Sequence, residues 1–141
     1  MIYCDTSLLV ASLTPEIATE VVQDWLDQRE AGELCVSDWV IAEFSSALSI
    51  KLRRGDLPLD RKPDVLTQWR RMVADQLIVL TVPQPAFDLA ARIADRHDLG
   101  LRAGDALHLA VASLGGHTLA TLDRRLREGA MAVGVATIEI T

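Results

Sequence analysis

Aromatic side chains are scarce in this sequence: three Trp, two Phe and one Tyr amount to 4% of 141 residues. Its core is therefore expected to be aliphatic. Only two cysteines occur, Cys4 and Cys35, both inside apolar runs. They read as buried free thiols in a reducing compartment, not as a disulfide or a metal site. No run of about 18 apolar residues is present, which excludes a membrane-spanning helix. No charged leader precedes the first apolar residues, so a cytoplasmic protein without a signal peptide is expected. Internal repeats, low-complexity tracts and linkers long enough to divide domains are all missing, and one domain over residues 1–141 is expected. Half of the residues are hydrophobic and 24% are charged, the balance of a globular chain. Basic charge is in deficit: 20 acids against 14 Lys and Arg leave a net charge of −6. As a bulk property, that argues against a nucleic-acid partner.

What is present is an alternation of strand and helix signals. Residues 1–4 read as a short buried strand, with Asp5, Thr6 and Ser7 at its carboxyl end. Open α/β sheets bind ligands beyond the carboxyl ends of their strands. Asp, Thr and Ser are also good helix N-caps, so Asp5 suits a site and a cap equally well. Further strands are predicted at 34–36, 77–82, 117–120 and 133–140. Helices are predicted at 8–13, 16–29, 38–54, 64–75, 83–97 and 103–114. Pro15 suits a first helical position, Ser37 an N-cap and Gly55 a stop. Val21, Val22, Trp25 and Leu26 mark the apolar face of the second helix. The pattern implies an α/β fold with a mainly parallel sheet and helices on both faces.

Three more acids stand in unusual company. Glu43 borders the apolar stripe of its helix instead of lying opposite it. Asp105 lies in the first turn of a very apolar helix, where the helix dipole favours a negative charge by about 0.3–1 kcal/mol. Asp123 follows a buried strand, as Asp5 does. Each has an ordinary explanation taken singly: a surface Glu, a dipole partner, a turn residue. Together they put an acid at two strand ends and on two adjoining helices along one edge of one sheet. Clustered carboxylates repel and raise one another's pKa. A divalent cation relieves that, and all-oxygen ligation suits Mg²⁺ or Mn²⁺.

The order Asp5-Thr6-Ser7, then Glu43, then Asp105-Ala106-Leu107-His108-Leu109-Ala110, then Thr121-Leu122-Asp123 resembles the PIN-domain nucleases. Within them it is similar to the VapC-type toxins of toxin–antitoxin pairs, over essentially the whole chain. The resemblance implies a central, mainly parallel five-stranded sheet, Mg²⁺ or Mn²⁺ dependence, RNA cleavage, homodimerisation and inhibition by a cognate VapB-type antitoxin in a hetero-oligomer. Under it, Asp5 and Asp105 are the main metal ligands and Asp123 completes the site. Glu43 holds a metal-bound water or a second ion. Thr121 orients Asp123 or a water, and Thr6 or Ser7 does the same near Asp5.

The charge objection weakens once those four acids are set aside, because 16 acids then face 14 bases. The bases also cluster. Arg102, near Asp105, and Arg124 and Arg125, next to Asp123, are the candidates for RNA phosphate contacts. His108 reads as a packed or interface histidine more than a general acid. Trp25, Trp39 and Trp69 read as core or partner-groove residues. Rival readings are a non-catalytic PIN-like scaffold that binds RNA or protein, and a phosphotransfer or phosphatase domain. A dehalogenase-type phosphatase expects an acid where Ser7 stands. A receiver expects a late lysine, and the only lysines are Lys51 and Lys62.

Overall fold

A computed structural model describes all 141 residues. Five parallel strands form one sheet: β1 (Ile2–Cys4), β2 (Leu34–Ser37), β3 (Leu77–Leu80), β4 (Thr118–Ala120) and β5 (Thr137–Ile138). Their order is β3-β2-β1-β4-β5. Ile2 pairs with Leu34 on one side and with Thr118 on the other, which makes β1 a central strand. Every residue of β2 is buried, as expected for a parallel strand covered on both faces. On the edge strand β3, Ile78 and Val79 are 41% exposed.

Seven helices connect the strands: α1 (Thr6–Leu13), α2 (Thr19–Asp27), α3 (Asp38–Arg54), α4 (Lys62–Asp75), α5 (Gln84–Ala94), α6 (Ala103–Gly115) and α7 (Arg124–Val133). The chain runs outward from β1 to β3, then returns past β1 to β4 and β5. Right-handed crossovers in opposite directions cover opposite faces. In keeping with this, α1 packs against α2, α3 and α4, while α6 packs against α5 and α7. Helix α6 is buried without a break from Ala106 to Ala112. That explains its almost wholly apolar sequence. The core joins 32 buried hydrophobic residues, mostly aliphatic.

The structure corrects several expected boundaries. Helix α7 was not anticipated; its charged sequence and the internal Gly129 mask the apolar positions Leu126 and Ala130. The last strand shrinks from 133–140 to Thr137–Ile138 because Val133 ends α7 and Gly134, at φ 79°, closes it. Helix α1 starts at Thr6, directly after its Asp5 cap. Pro15 does not open α2, which starts at Thr19. The Thr19 hydroxyl accepts from Glu16 N–H and donates to the Thr14 carbonyl, holding a turn there instead. Val21 is 44% exposed, so the inward face of α2 is Val22 and Trp25.

Phe44 of α3 is fully buried and stacks on Trp69 of α4, with centroids 4.1 Å apart and planes at 13°. Phe44→Ala should cost about 3–5 kcal/mol in urea unfolding. A loss below about 1 kcal/mol would mean the pair does not tie α3 to α4.

Candidate active site

Asp5 directly follows β1 and caps α1, accepting from Leu8 N–H at 3.2 Å. Its carboxylate is 3% exposed. Two hydroxyls hold it from different parts of the chain. Ser7 Oγ donates to both carboxylate oxygens at 2.8 and 2.9 Å. Thr121 Oγ1, just past β4, donates to Oδ2 at 2.7 Å. Each hydroxyl also accepts a backbone N–H: Ser7 from Leu122 at 3.2 Å and Thr121 from Asp123 at 3.0 Å. The carboxylate that caps α1 is thus the one the two hydroxyls hold. Burial raises the Asp5 pKa, and the neighbouring His108 and the three donors pull against it without cancelling the rise.

Thr121 also links Asp5 to Asp123. Asp123 caps α7 through Leu126 N–H at 3.1 Å, and its side chain faces outward. Asp105 sits in the first turn of α6 and accepts from Arg102 N–H at 3.3 Å. Partial burial raises its pKa, and the charges of Asp123 and Glu43 push the same way. That mutual repulsion is the electrostatic signature of acids facing one space.

Glu43 Oε1 lies 2.6 Å from His108 Nε2 and accepts the Thr6 hydroxyl. Burial alone would raise its pKa, but the bonds from His108 and Thr6 outweigh it and hold the group below its ordinary value. The Trp39 indole N–H acts in the same direction, although it forms no hydrogen bond of ordinary geometry. Behind Glu43, His108 Nδ1 is 3.0 Å from the Tyr3 hydroxyl, which is 2.8 Å from Ser37 Oγ.

Glu43, Asp105, Asp123, Arg102, Arg124 and Arg125 all line one open cleft of about 810 Å³. Asp5 does not line it; Thr121 joins the Asp5 carboxylate to the backbone N–H of Asp123. Thr6 and Ser7 line a smaller neighbouring recess that also reaches Asp123. Trp39, expected in the core or a partner groove, also lines the cleft, and Gly104 and Glu128 escaped sequence reasoning. Glu128 engages Arg124 at 2.8 Å. Arg125 reaches the Gly100 carbonyl at 3.3 Å. A Cβ on Gly104 would stand 3.2 Å from both Glu43 Oε2 and the Trp39 ring, so the glycine keeps that wall open. His108 is a packed histidine, as expected, but one wired to a cleft acid. The oxygen donors suit a hard divalent cation. As the side chains are turned, no three His, Cys, Asp or Glu gather closely enough to enclose one.

A PIN domain model matches residues 2–130. The chain belongs to the PIN-domain family, and within it to the VapC group. It is 32% identical over 146 aligned positions to Ribonuclease VapC35 of Mycobacterium tuberculosis (strain CDC 1551 / Oshkosh), covering 98% of this chain and 96% of that one. The solved structure of the sarcin-ricin loop cleaving toxin VapC20 of Mycobacterium tuberculosis superposes with a TM-score of 0.75 at 17% identity, covering 99% of both chains. A toxin–antitoxin complex from Klebsiella pneumoniae gives 0.69 at 14% identity, over 100% of this chain and 98% of that one. At such identities the structural likeness is one of fold.

Because burial raises the Asp5 pKa, the folded state holds the Asp5 proton more tightly than the unfolded chain does. Its stability contribution is therefore best below the ordinary Asp pKa and falls as pH rises through the folded value. Asp5→Asn removes that neutral-pH penalty while keeping an acceptor for Leu8 N–H. A higher Tm than wild type is expected at pH 7, with the difference shrinking as the pH falls. A Tm below wild type at pH 7 would contradict this account of the buried carboxylate.

Proposed function

We propose that this protein is a Mg²⁺- or Mn²⁺-dependent endoribonuclease, the toxin of a VapBC-type pair. The observation that carries this reading is the meeting of Glu43, Asp105 and Asp123 with three arginines on one cleft, with Asp5 tied through Thr121 to the backbone of Asp123. The ribonuclease name of VapC35 supports the chemistry. The toxin–antitoxin complex from Klebsiella pneumoniae supports a VapB-type antitoxin as partner. A homodimer is part of the same proposal, by resemblance to the family.

Asp5, Asp105 and Asp123 would hold the ion, with Glu43 holding a bound water or a second ion. A bound divalent ion lowers the pKa of its water and neutralises charge developing on the phosphate. The protein does the rest. Thr121 and Ser7 fix Asp5 by donating to it, so that its lone pairs point in set directions. Thr121 also fixes the Asp123 backbone. Arg124, Arg125 and Arg102 lie on the rim, where they attract the RNA backbone without reading its bases. An exposed rim of bases can steer a polyanion to a protein of negative net charge. Ionised carboxylates are required for ion binding. The raised pKa of Asp105 and Asp5 therefore moves the acid limb of activity above the range of an ordinary Asp.

One observation favours the non-cleaving scaffold: no three acids enclose an ion as the side chains stand. A cleavage assay on total RNA with Mg²⁺ or EDTA separates the two. Cleavage is expected with Mg²⁺ only, falling about 100-fold or more in Asp105→Asn and in Asp123→Asn. No Mg²⁺-dependent cleavage by the wild type would leave the scaffold, and unchanged rates in both variants would remove these two acids from the chemistry. Replacing Arg124 and Arg125 by Gln should weaken single-stranded RNA binding and flatten its log–log salt slope by about 1.4, roughly 0.7 per lost contact. An unaltered slope would remove these arginines from the RNA path.

A further inference from the structure

Glu43 is held differently from the other cleft acids. Asp105 and Asp123 accept only from backbone N–H groups of their own helix ends. Glu43 Oε1 instead meets donors from two other elements, His108 of α6 and Thr6 of α1. Oε2 is the oxygen left beside the open wall at Gly104. Behind Oε1 the polar chain continues inward, from His108 to Tyr3 to Ser37. His108 is 2% exposed, and Tyr3 and Ser37 are fully buried. Water cannot substitute for any of these bonds, so each broken link leaves a buried polar group unpaired.

With Glu43 ionised and the His108 ring neutral, the hydrogens along this chain run in one direction. An ionised carboxylate offers only acceptors, so His108 Nε2 carries the hydrogen that faces Glu43. In the neutral imidazole Nδ1 is then an acceptor. The Tyr3 O–H donates to it, and the Ser37 O–H donates to the Tyr3 oxygen. Tyr3 and Ser37 thereby select the ring tautomer and plane that a donor to Glu43 needs. This is the logic by which outer partners orient the groups that hold an ion.

We propose that His108, set by Tyr3 and Ser37, is a positioning residue that turns Glu43 so that Oε1 is occupied and Oε2 faces the cleft. This rests on the nuclease reading, in which Glu43 serves the ion. Plain packing is the alternative, since His108 also fills space between α6 and the sheet. The two separate by chemistry at one position. A Gln at 108 keeps an N–H near the place of Nε2, whereas a Leu keeps the volume and loses the donor.

The test is calorimetric titration of the full-length, ion-free protein with Mn²⁺. Wild type is compared with Glu43→Gln, His108→Leu, His108→Gln and Tyr3→Phe, each checked for folding by circular dichroism. His108→Leu is expected to weaken Mn²⁺ binding about 10–100-fold, reproducing Glu43→Gln, with Tyr3→Phe between it and wild type. His108→Gln is expected to stay within about threefold of wild type. Equal affinities in wild type and His108→Leu, or equal losses in Gln and Leu, would overturn the proposal in favour of packing. The imidazole ¹⁵N–¹H spectrum reads the same chain without any ion. The His108 Nε2–H signal should be present in wild type and should shift in both Glu43→Gln and Tyr3→Phe. If wild type binds no Mn²⁺ the nuclease reading fails, whereas a missing or unresponsive Nε2–H signal sinks the positioning role whatever the ion does.

Discussion

Parallel pairing of β1 with β4 is the constraint on which the rest of this molecule depends. The two strands are far apart in sequence, yet Ile2, Tyr3 and Cys4 lie beside Thr118, Leu119 and Ala120. The sheet reverses its direction of growth there, and such reversals open a crevice beyond the strand ends. Asp5 and Thr121 each follow the last residue of one of those strands, and the bond between them is a consequence of strand register. A slip of one residue in either strand would turn its side chain to the opposite face and break that bond. The helices follow from the same place, since Asp5 caps α1 and Asp123 caps α7.

Around that centre, the charges are arranged against the bulk composition. Glu43 and Asp105 are half-buried, Asp123 is exposed but tied by its backbone to buried Thr121, and the arginines lie on the rim. Glu128 tempers Arg124, leaving Arg102 and Arg125 as the rim cations with no acidic partner within salt-bridge distance. Arg127, from the same basic run, turns away and donates to the Thr121 carbonyl at 3.1 Å. It supports the loop that carries Thr121.

The strand-end acids were legible in the sequence because a buried strand followed by an Asp is a local pattern. Glu43 and Asp105 were legible as acids against apolar helix faces. The tertiary partners were not. Tyr3, Ser37 and His108 meet across separations of 34 and 105 residues, and nothing local marks a tyrosine in a strand as the partner of a distant imidazole. Helix α7 was hidden for a different reason. Its first turn is a run of arginines, and its buried Gly129 leaves room for Leu101, whose Cδ1 would stand 2.7 Å from a Cβ there. Close packing chose the glycine against helix propensity. Trp39, expected in the core or a partner groove, forms a wall of the acidic cleft.

The hydroxyl clamp on Asp5 has a consequence for how this chain changes over generations. A carboxylate kept from water works against the fold that contains it, so its loss is tolerated by the architecture. An exchange that strips the charge from this position is one the scaffold survives, so shape would outlast reactivity wherever the two are selected apart.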